Sequence, residues 1–153
     1  MNLKKIKVYN LFWMVAAIIL LIAILKNKGQ DSTFDINVHD TYFVIADFYI
    51  EVATCLFFFL MGLGYWLIQK IYKKQLIKSL TIIHAAILIG SFILYWIIML
   101  YFKLFAKDLS FPLFDDYQLI NVVLVVEILL IVFIGIPVYI VNLLIAIFRK
   151  NKL

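Results

Sequence analysis

The chain has 153 residues, of which 67% are hydrophobic and only 15% charged, with a formal net charge of +5. Soluble globular domains carry about 25% charged residues, and disordered segments have low hydrophobicity, so both classes are excluded. This length holds at most about five or six spanning helices of roughly 20 residues, which leaves no room for a large extramembrane domain. The single cysteine, Cys55, excludes an intramolecular disulfide bond.

Four apolar segments follow one another along the chain, and each reaches the roughly 18 residues that indicate a membrane-spanning helix. They cover about residues 8–25, 42–68, 80–102 and 119–148. Backbone groups in hydrocarbon must bond internally, so the sequence predicts an all-α integral membrane bundle of four transmembrane helices, one domain over 1–153. Pro137 predicts a kink or a locally opened hydrogen bond in the fourth helix.

The basic residues predict the orientation of these helices. Ten of the fourteen flank the inner ends: Lys4, Lys5, Lys7, Lys70, Lys73, Lys74, Lys78, Arg149, Lys150 and Lys152. The positive-inside rule then places both termini and the 69–79 loop in the cytoplasm of a cell (inner) membrane, with the lipid bilayer as the first partner. Basic residues at helix ends do not form a nucleic-acid face, so no nucleic-acid partner is expected. The first segment is expected to be an uncleaved anchor, because basic residues follow it in place of a cleavage site.

A polar pair, His39 and Asp40, precedes the second segment on the predicted outer side. The Asp40 carboxylate is favoured as a cap for the following helix. Carboxylate and imidazole are also metal ligands, so an outer-surface metal site is the alternative. Two ligands do not make a site, and such a site would need others from elsewhere.

Residues 39–46 read HDTYFVIA, and Phe48 follows shortly after them. This stretch resembles the HDTYYVVAHFH signature of subunit I of haem-copper (cytochrome c) oxidases. Two later stretches resemble features of the family's following helices: Ile83-His84, and Asp115-Asp116-Tyr117 with Asn121. The resemblance implies that the second, third and fourth helices correspond to the family's last three helices, with the motif on the outer side.

The chain departs from the family at the residues that carry its chemistry. Asp47 and Tyr49 stand where the family has its two haem-ligating histidines. Its paired arginines have no match between Lys103 and Tyr117, and its copper ligands lie on earlier helices. We therefore expect neither haem nor enzymatic activity. The family equivalents of His39 and Asp40 lie near a magnesium or manganese ion, so the resemblance leaves only such an ion open as a cofactor.

Three acidic residues fall inside the predicted spans, namely Asp47, Glu51 and Glu127. Asp47 and Glu51 share one helix face, and counting from Tyr42 places them roughly 8 and 14 Å deep. No Lys or Arg lies inside any span, so we predict one largely protonated cluster of the three acids. It would serve either as a proton or cation relay or as a set of neutral interhelix hydrogen bonds. His84 is expected to have a packing or boundary role.

Three functions follow as hypotheses. The first is a non-catalytic relative of oxidase subunit I, an accessory or scaffold element that contacts other membrane-protein subunits. The second is a small proton or cation transport element that uses the intramembrane carboxylates. The third is a haem-binding oxidase component completed by a partner chain.

Overall fold

The computed structural model describes residues 7–26, 33–38, 41–105 and 118–149. Four helical stretches are long and apolar enough to span a membrane: Val8–Lys26, Asp47–Ile71, Lys78–Ile98 and Val122–Phe148. The prediction of an all-α membrane fold with four spanning helices is confirmed. The chain divides into two compact units, Met1–Lys73 and Lys74–Leu153. The prediction of one membrane domain stays a prediction.

The first unit is built on two antiparallel helices, α1 (Val8–Lys26) and α2 (Asp47–Trp66). The buried residues of α1 are spaced three and four apart and form one seam along the helix: Tyr9, Phe12, Ala16, Ile19 and Ala23. This spacing keeps them on a single face, because an α-helix turns every 3.6 residues. The other apolar side chains of α1 are largely exposed, which suits a helix surrounded by lipid.

Aromatic side chains fill much of the seam between α1 and α2. The Phe12 ring lies 6.0 Å from the Phe58 ring and 5.8 Å from the Tyr65 ring, measured between centroids. Trp13 stacks on Phe59 at 6.1 Å and lies over Gly62, which has no side chain to obstruct it. Close contact of this kind requires a small residue on the facing helix.

A two-stranded antiparallel hairpin joins these helices, and this element differs from the prediction. Strand β1 (Thr33–Val38) pairs with β2 (Thr41–Ala46), in a register that runs from Thr33 opposite Ala46 to Val38 opposite Thr41. Residues 42–46, predicted as the start of the second spanning helix, are therefore strand, and α2 begins at Asp47. The reason is that 41–46 is rich in β-branched and aromatic residues and finds a partner strand upstream.

A π-helical turn, Leu67–Ile71, ends the second spanning helix. The Tyr72 N–H donates to the Leu67 carbonyl at 3.0 Å, which closes this wider turn. Lys73 follows with φ 51°, the left-handed conformation that terminates many helices. The chain then leaves the helix and reaches the second unit.

The second unit contains α3 (Lys78–Phe105), α4 (Gln118–Leu130) and α5 (Ile136–Phe148). A π-helical turn, Ile131–Gly135, joins α4 to α5, so together they form the fourth span. Pro137 follows this turn, and the Ile136 N–H donates to the Ile131 carbonyl, five residues back. The hydrogen bond is therefore opened locally, as Pro137 predicts, because in a regular helix the proline ring would clash with the carbonyl four residues earlier.

Helices α3 and α5 run antiparallel and meet along a narrow seam. Its buried members include Thr81, His84 and Leu88 on α3, with Asn142 and Ala146 on α5. Most large apolar side chains of α4 and α5 point outward, as expected where the solvent is hydrocarbon.

Candidate functional site

The predicted outer-surface pair, His39 and Asp40, lies outside the described residues. The structure describes the two strands on either side of it, which pair up to Val38 and Thr41. Among the described residues, no group of three or more His, Cys, Asp or Glu side chains could hold a metal ion. The magnesium or manganese alternative stays a prediction.

Asp47 occupies the first turn of α2, where it is half-buried. An acidic residue is favourable there, because its negative charge faces the positive end of the helix dipole. Two residues on, Tyr49 is 68% exposed, and its ring contacts the neighbouring ring of Phe48 at 5.9 Å. The two residues that stand at the family's haem-ligand positions are thus in the first turn of the helix. Carboxylate is a poor axial ligand for haem iron, and the phenol of Tyr49 is exposed.

Glu51 lies one turn further along α2 and has a cationic partner. Its Oε1 accepts a hydrogen bond from Lys26 Nζ at 2.8 Å, and the side chains are 16% and 46% exposed respectively. Lys26 is the last residue of α1, so it lies at the end of a span and not in its interior. The expectation that Glu51 has no cationic partner is wrong. Counted from Asp47, Glu51 is also only roughly 6 Å along its helix, not 14 Å from a start at Tyr42.

Glu127 differs from the other two acids. It belongs to the second unit, is only 7% exposed, and lies nine residues after Gln118, roughly 14 Å along α4. Its Oε1 is buried and has no hydrogen-bond partner within the described chain. Asp47 and Glu51 belong to the first unit. The three-acid cluster stays a prediction.

Sequence reasoning missed a buried polar group between α3 and α5. The Asn142 Oδ1 accepts a hydrogen bond from the backbone N–H of Ile77 at 2.9 Å, and its Nδ2 donates to Thr81 Oγ1 at 2.8 Å. Thr81 Oγ1 donates in turn to the Ile77 carbonyl at 2.9 Å. Asn142 is completely buried, so these bonds are what makes its amide tolerable inside the unit.

His84 lies next to this group and is also completely buried. Its ring stacks on that of Tyr139, with centroids 4.8 Å apart and planes inclined by 29°. This burial and stacking agree with the packing alternative of the packing or boundary role predicted for His84. One signal could have identified the whole group: Thr81 and His84 are three apart on α3, and Tyr139 and Asn142 are three apart on α5, so each pair shares a helix face.

Basic residues lie at the end of the second unit where α3 begins and α5 ends. Lys74 Nζ donates to the Arg149 carbonyl at 2.6 Å, at the C-terminal end of α5. A cation at this end stabilises the helix, because the unsatisfied carbonyls give it a partial negative charge. Lys78 opens α3 and is exposed.

These elements define a multi-pass membrane protein with four spanning helices, whose exposed apolar side chains contact the lipid bilayer. No protein-family model matches the chain, and neither a curated protein nor a solved structure matches it.

Proposed function

We propose that this protein is a non-catalytic relative of haem-copper oxidase subunit I that serves as an accessory or scaffold element in a membrane complex. The observation that carries the proposal is the stretch HDTYFVIA at 39–46, which continues into Asp47 and Tyr49 in place of two histidines. The chain would keep the helical frame around the motif and lack the groups that hold iron.

The absence of haem is part of this proposal. It is supported by the poor ligand at Asp47 and by the 68% exposure of Tyr49 in the first turn of α2. Haem ligation needs axial side chains held in a shielded pocket by surrounding groups. No redox step is therefore assigned to this chain.

The orientation is also proposed. The lysine and arginine asymmetry puts both termini and the 69–79 loop in the cytoplasm. The hairpin of β1 and β2, which contains most of the motif, would then lie on the outer side. A partner subunit would contact the hairpin there, because in the described part of the chain each of the two strands has one backbone edge without a neighbouring strand.

Co-purification in mild detergent tests the accessory role. The tagged chain is expected to retain a specific membrane-protein subunit, and Val44→Glu, at a 61% exposed hairpin position, is expected to release it. The matched control is Gln75→Glu, an exposed position in the 69–79 loop. Equal retention by both variants would contradict contact at the hairpin, and no retained subunit with the wild-type chain would contradict the accessory role.

Absorption spectroscopy of the same preparation tests the absence of haem. We expect no Soret band in proportion to the chain. A stoichiometric band that disappears in Tyr49→Phe and persists in Tyr72→Phe would instead establish the third hypothesis, a haem site completed by a partner chain. Tyr72 is a suitable control because it is similarly exposed, at 57%.

The transport hypothesis depends on acids without cationic partners. Glu51 is paired with Lys26, and Asp47 is placed favourably at a helix N-terminus. Asp47 and Glu127 have no ion pair among the described residues, so the ion pair of Glu51 removes one of the three acids on which this hypothesis depends.

A further inference from the structure

Glu127 is one of the buried positions of the fourth span. The buried positions Glu127 and Gly135 are eight residues apart on that span, and a Cβ at Gly135 would be 3.1 Å from Leu88 Cδ1. The antiparallel register is set by Leu88 opposite Gly135 and His84 opposite Tyr139. Extended toward the start of α4, the same register sets Glu127 level with about Trp96 on α3.

In the described part of the second unit, few titratable or charged groups lie around this level. On α3, Tyr95 is near the level of Glu127, His84 is about three turns further in, and Lys78 is at the far end of the helix. Lys103 is about two turns away in the other direction. On α5, Tyr139 is stacked on His84. No ion pair of Glu127 occurs in the described residues.

We propose that Glu127 is a proton-binding site inside the fourth span and carries its proton at neutral pH. The geometry supports this because Glu127 is only 7% exposed, and its buried Oε1 has no hydrogen-bond partner among the described groups. An ionised carboxylate is disfavoured where a buried oxygen has no donor and no cation is paired with it, whereas binding one proton neutralises the group without further ligands.

A proton fits this site better than a metal ion. Hard cations such as Ca²⁺ and Mg²⁺ take about six or more oxygen ligands, and a single carboxyl supplies at most two. In the described chain, no group of three acidic, His or Cys side chains includes Glu127. This inference does not depend on the resemblance to oxidases and would stand if the accessory role failed.

Infrared difference spectroscopy of the full chain in lipid vesicles tests the proposal. The carbonyl band of a protonated carboxylic acid should be present at neutral pH, shift in D₂O, and be absent from Glu127→Gln. Glu127→Asp should restore a shifted band. The matched control is Glu51→Gln, which should leave the band unchanged because Glu51 is ion-paired.

Three outcomes would overturn the proposal. The first is a neutral-pH spectrum in which Glu127→Gln, with unchanged helical circular dichroism, loses no acid band. The second is a band that disappears when Na⁺ is added at constant pH, which would make a cation the ligand. The third concerns the alkaline titration of the band. Above the midpoint of that titration, a single bound proton requires the band to decline by about tenfold per pH unit, and a shallower decline would contradict the proposal. If Glu127→Gln fails to fold, the Glu127→Asp band and its D₂O shift decide the question.

Discussion

At the scale of single residues, Gly62 sets how closely α1 and α2 can approach. A Cβ at this position would lie 2.6 Å from Trp13 Cδ1 and 2.7 Å from Trp13 Nε1. Trp13 cannot move freely, because its ring also stacks on Phe59 and lies 6.4 Å from the ring of Trp66. Spanning helices gain their association energy from packing, so one added methyl group at this contact lowers the stability of the helix pair.

We expect Gly62→Ala to destabilise the first unit by about 1–3 kcal/mol, the usual cost of overpacking. Unfolding in mixed micelles, followed by tryptophan fluorescence, measures it. Gly90→Ala is the control, because a Cβ there meets no atom within 4 Å. That variant should be neutral or up to about 1 kcal/mol more stable, since alanine favours helix. Equal effects of the two substitutions would contradict the packing argument.

In the second unit, the side chain of a single buried residue, Asn142, forms hydrogen bonds to α3 and to the segment before it. Its amide satisfies the backbone N–H of Ile77, in the segment that leads into α3, and the hydroxyl of Thr81. Removing it leaves a backbone donor without its partner, and a buried donor left unsatisfied costs more than a hydrogen bond gains.

We expect Asn142→Ala to cost about 1–3 kcal/mol and to speed hydrogen exchange at the Ile77 amide. Thr81→Val is the comparison, because it breaks the bonds of the hydroxyl and leaves the Ile77 N–H bond to Asn142 in place. Exchange at Ile77 should therefore rise much less in that variant. Similar exchange in both variants would show that Asn142 does not protect this amide.

At the scale of elements, the fourth span contains one residue more than a regular α-helix would use. The Ile136 N–H skips the carbonyl four residues back and bonds to Ile131. The Val132 carbonyl then has neither of its usual backbone donors, because the next N–H in line belongs to Pro137, which has none. The wider turn removes the clash of the proline ring with the preceding turn, and it keeps Glu127 and Gly135 on one buried face.

Removing Val132 in the Pro137→Ala background should therefore convert the turn to α-helix and preserve the fold, with a stability change within about 1 kcal/mol. The control is removal of Ala86, an exposed residue in regular α3, in the same background. That deletion rotates Leu88 by about 100° relative to His84. It should cost at least about 2 kcal/mol through lost burial. Thermal unfolding by circular dichroism compares the two, and an equal loss would contradict the extra-residue interpretation.

The hairpin is the other element that tertiary pairing defines. Phe34, Ile36 and Val38 alternate with Asp35 and Asn37 along β1, which is the period of a strand with one apolar face. This alternation was the available signal for a strand before the second spanning helix. The apolar run that starts at 42 obscured the partner strand, because a short apolar run suits strand and helix equally.

At the scale of the whole molecule, the proposed topology can be tested directly. Cysteine variants at positions 30, 75 and 151, made in Cys55→Ser, should react with a membrane-impermeant thiol reagent from opposite sides. We expect position 30 to react in intact cells, and positions 75 and 151 only after permeabilisation, because most basic residues stay in the cytoplasm. Labelling of position 75 in intact cells would contradict the proposed orientation, and with it the outer placement of the motif.

The number and approximate limits of the spanning helices could be predicted from the sequence because insertion depends on apolar content summed over about 20 consecutive residues. Pro137 likewise predicted an opened hydrogen bond, because proline itself has no backbone N–H. The candidate acids could also be identified from the sequence, but the groups that surround them could not be predicted. Asp47 was assigned to a depth inside the bilayer, and the structure places it in the first turn of its helix.

What only the tertiary structure decided are the contacts between segments distant along the chain. Lys26 and Glu51 are 25 residues apart, and Asn142 and Thr81 are 61 apart. Composition and periodicity describe one segment at a time, so they could not predict which of these groups would pair. By itself the sequence determined that four apolar helices are long enough to span the membrane, because apolar content is summed along one segment. Only the packing between helices decided which polar groups meet, because Lys26 reaches Glu51 and Asn142 reaches Thr81 through space.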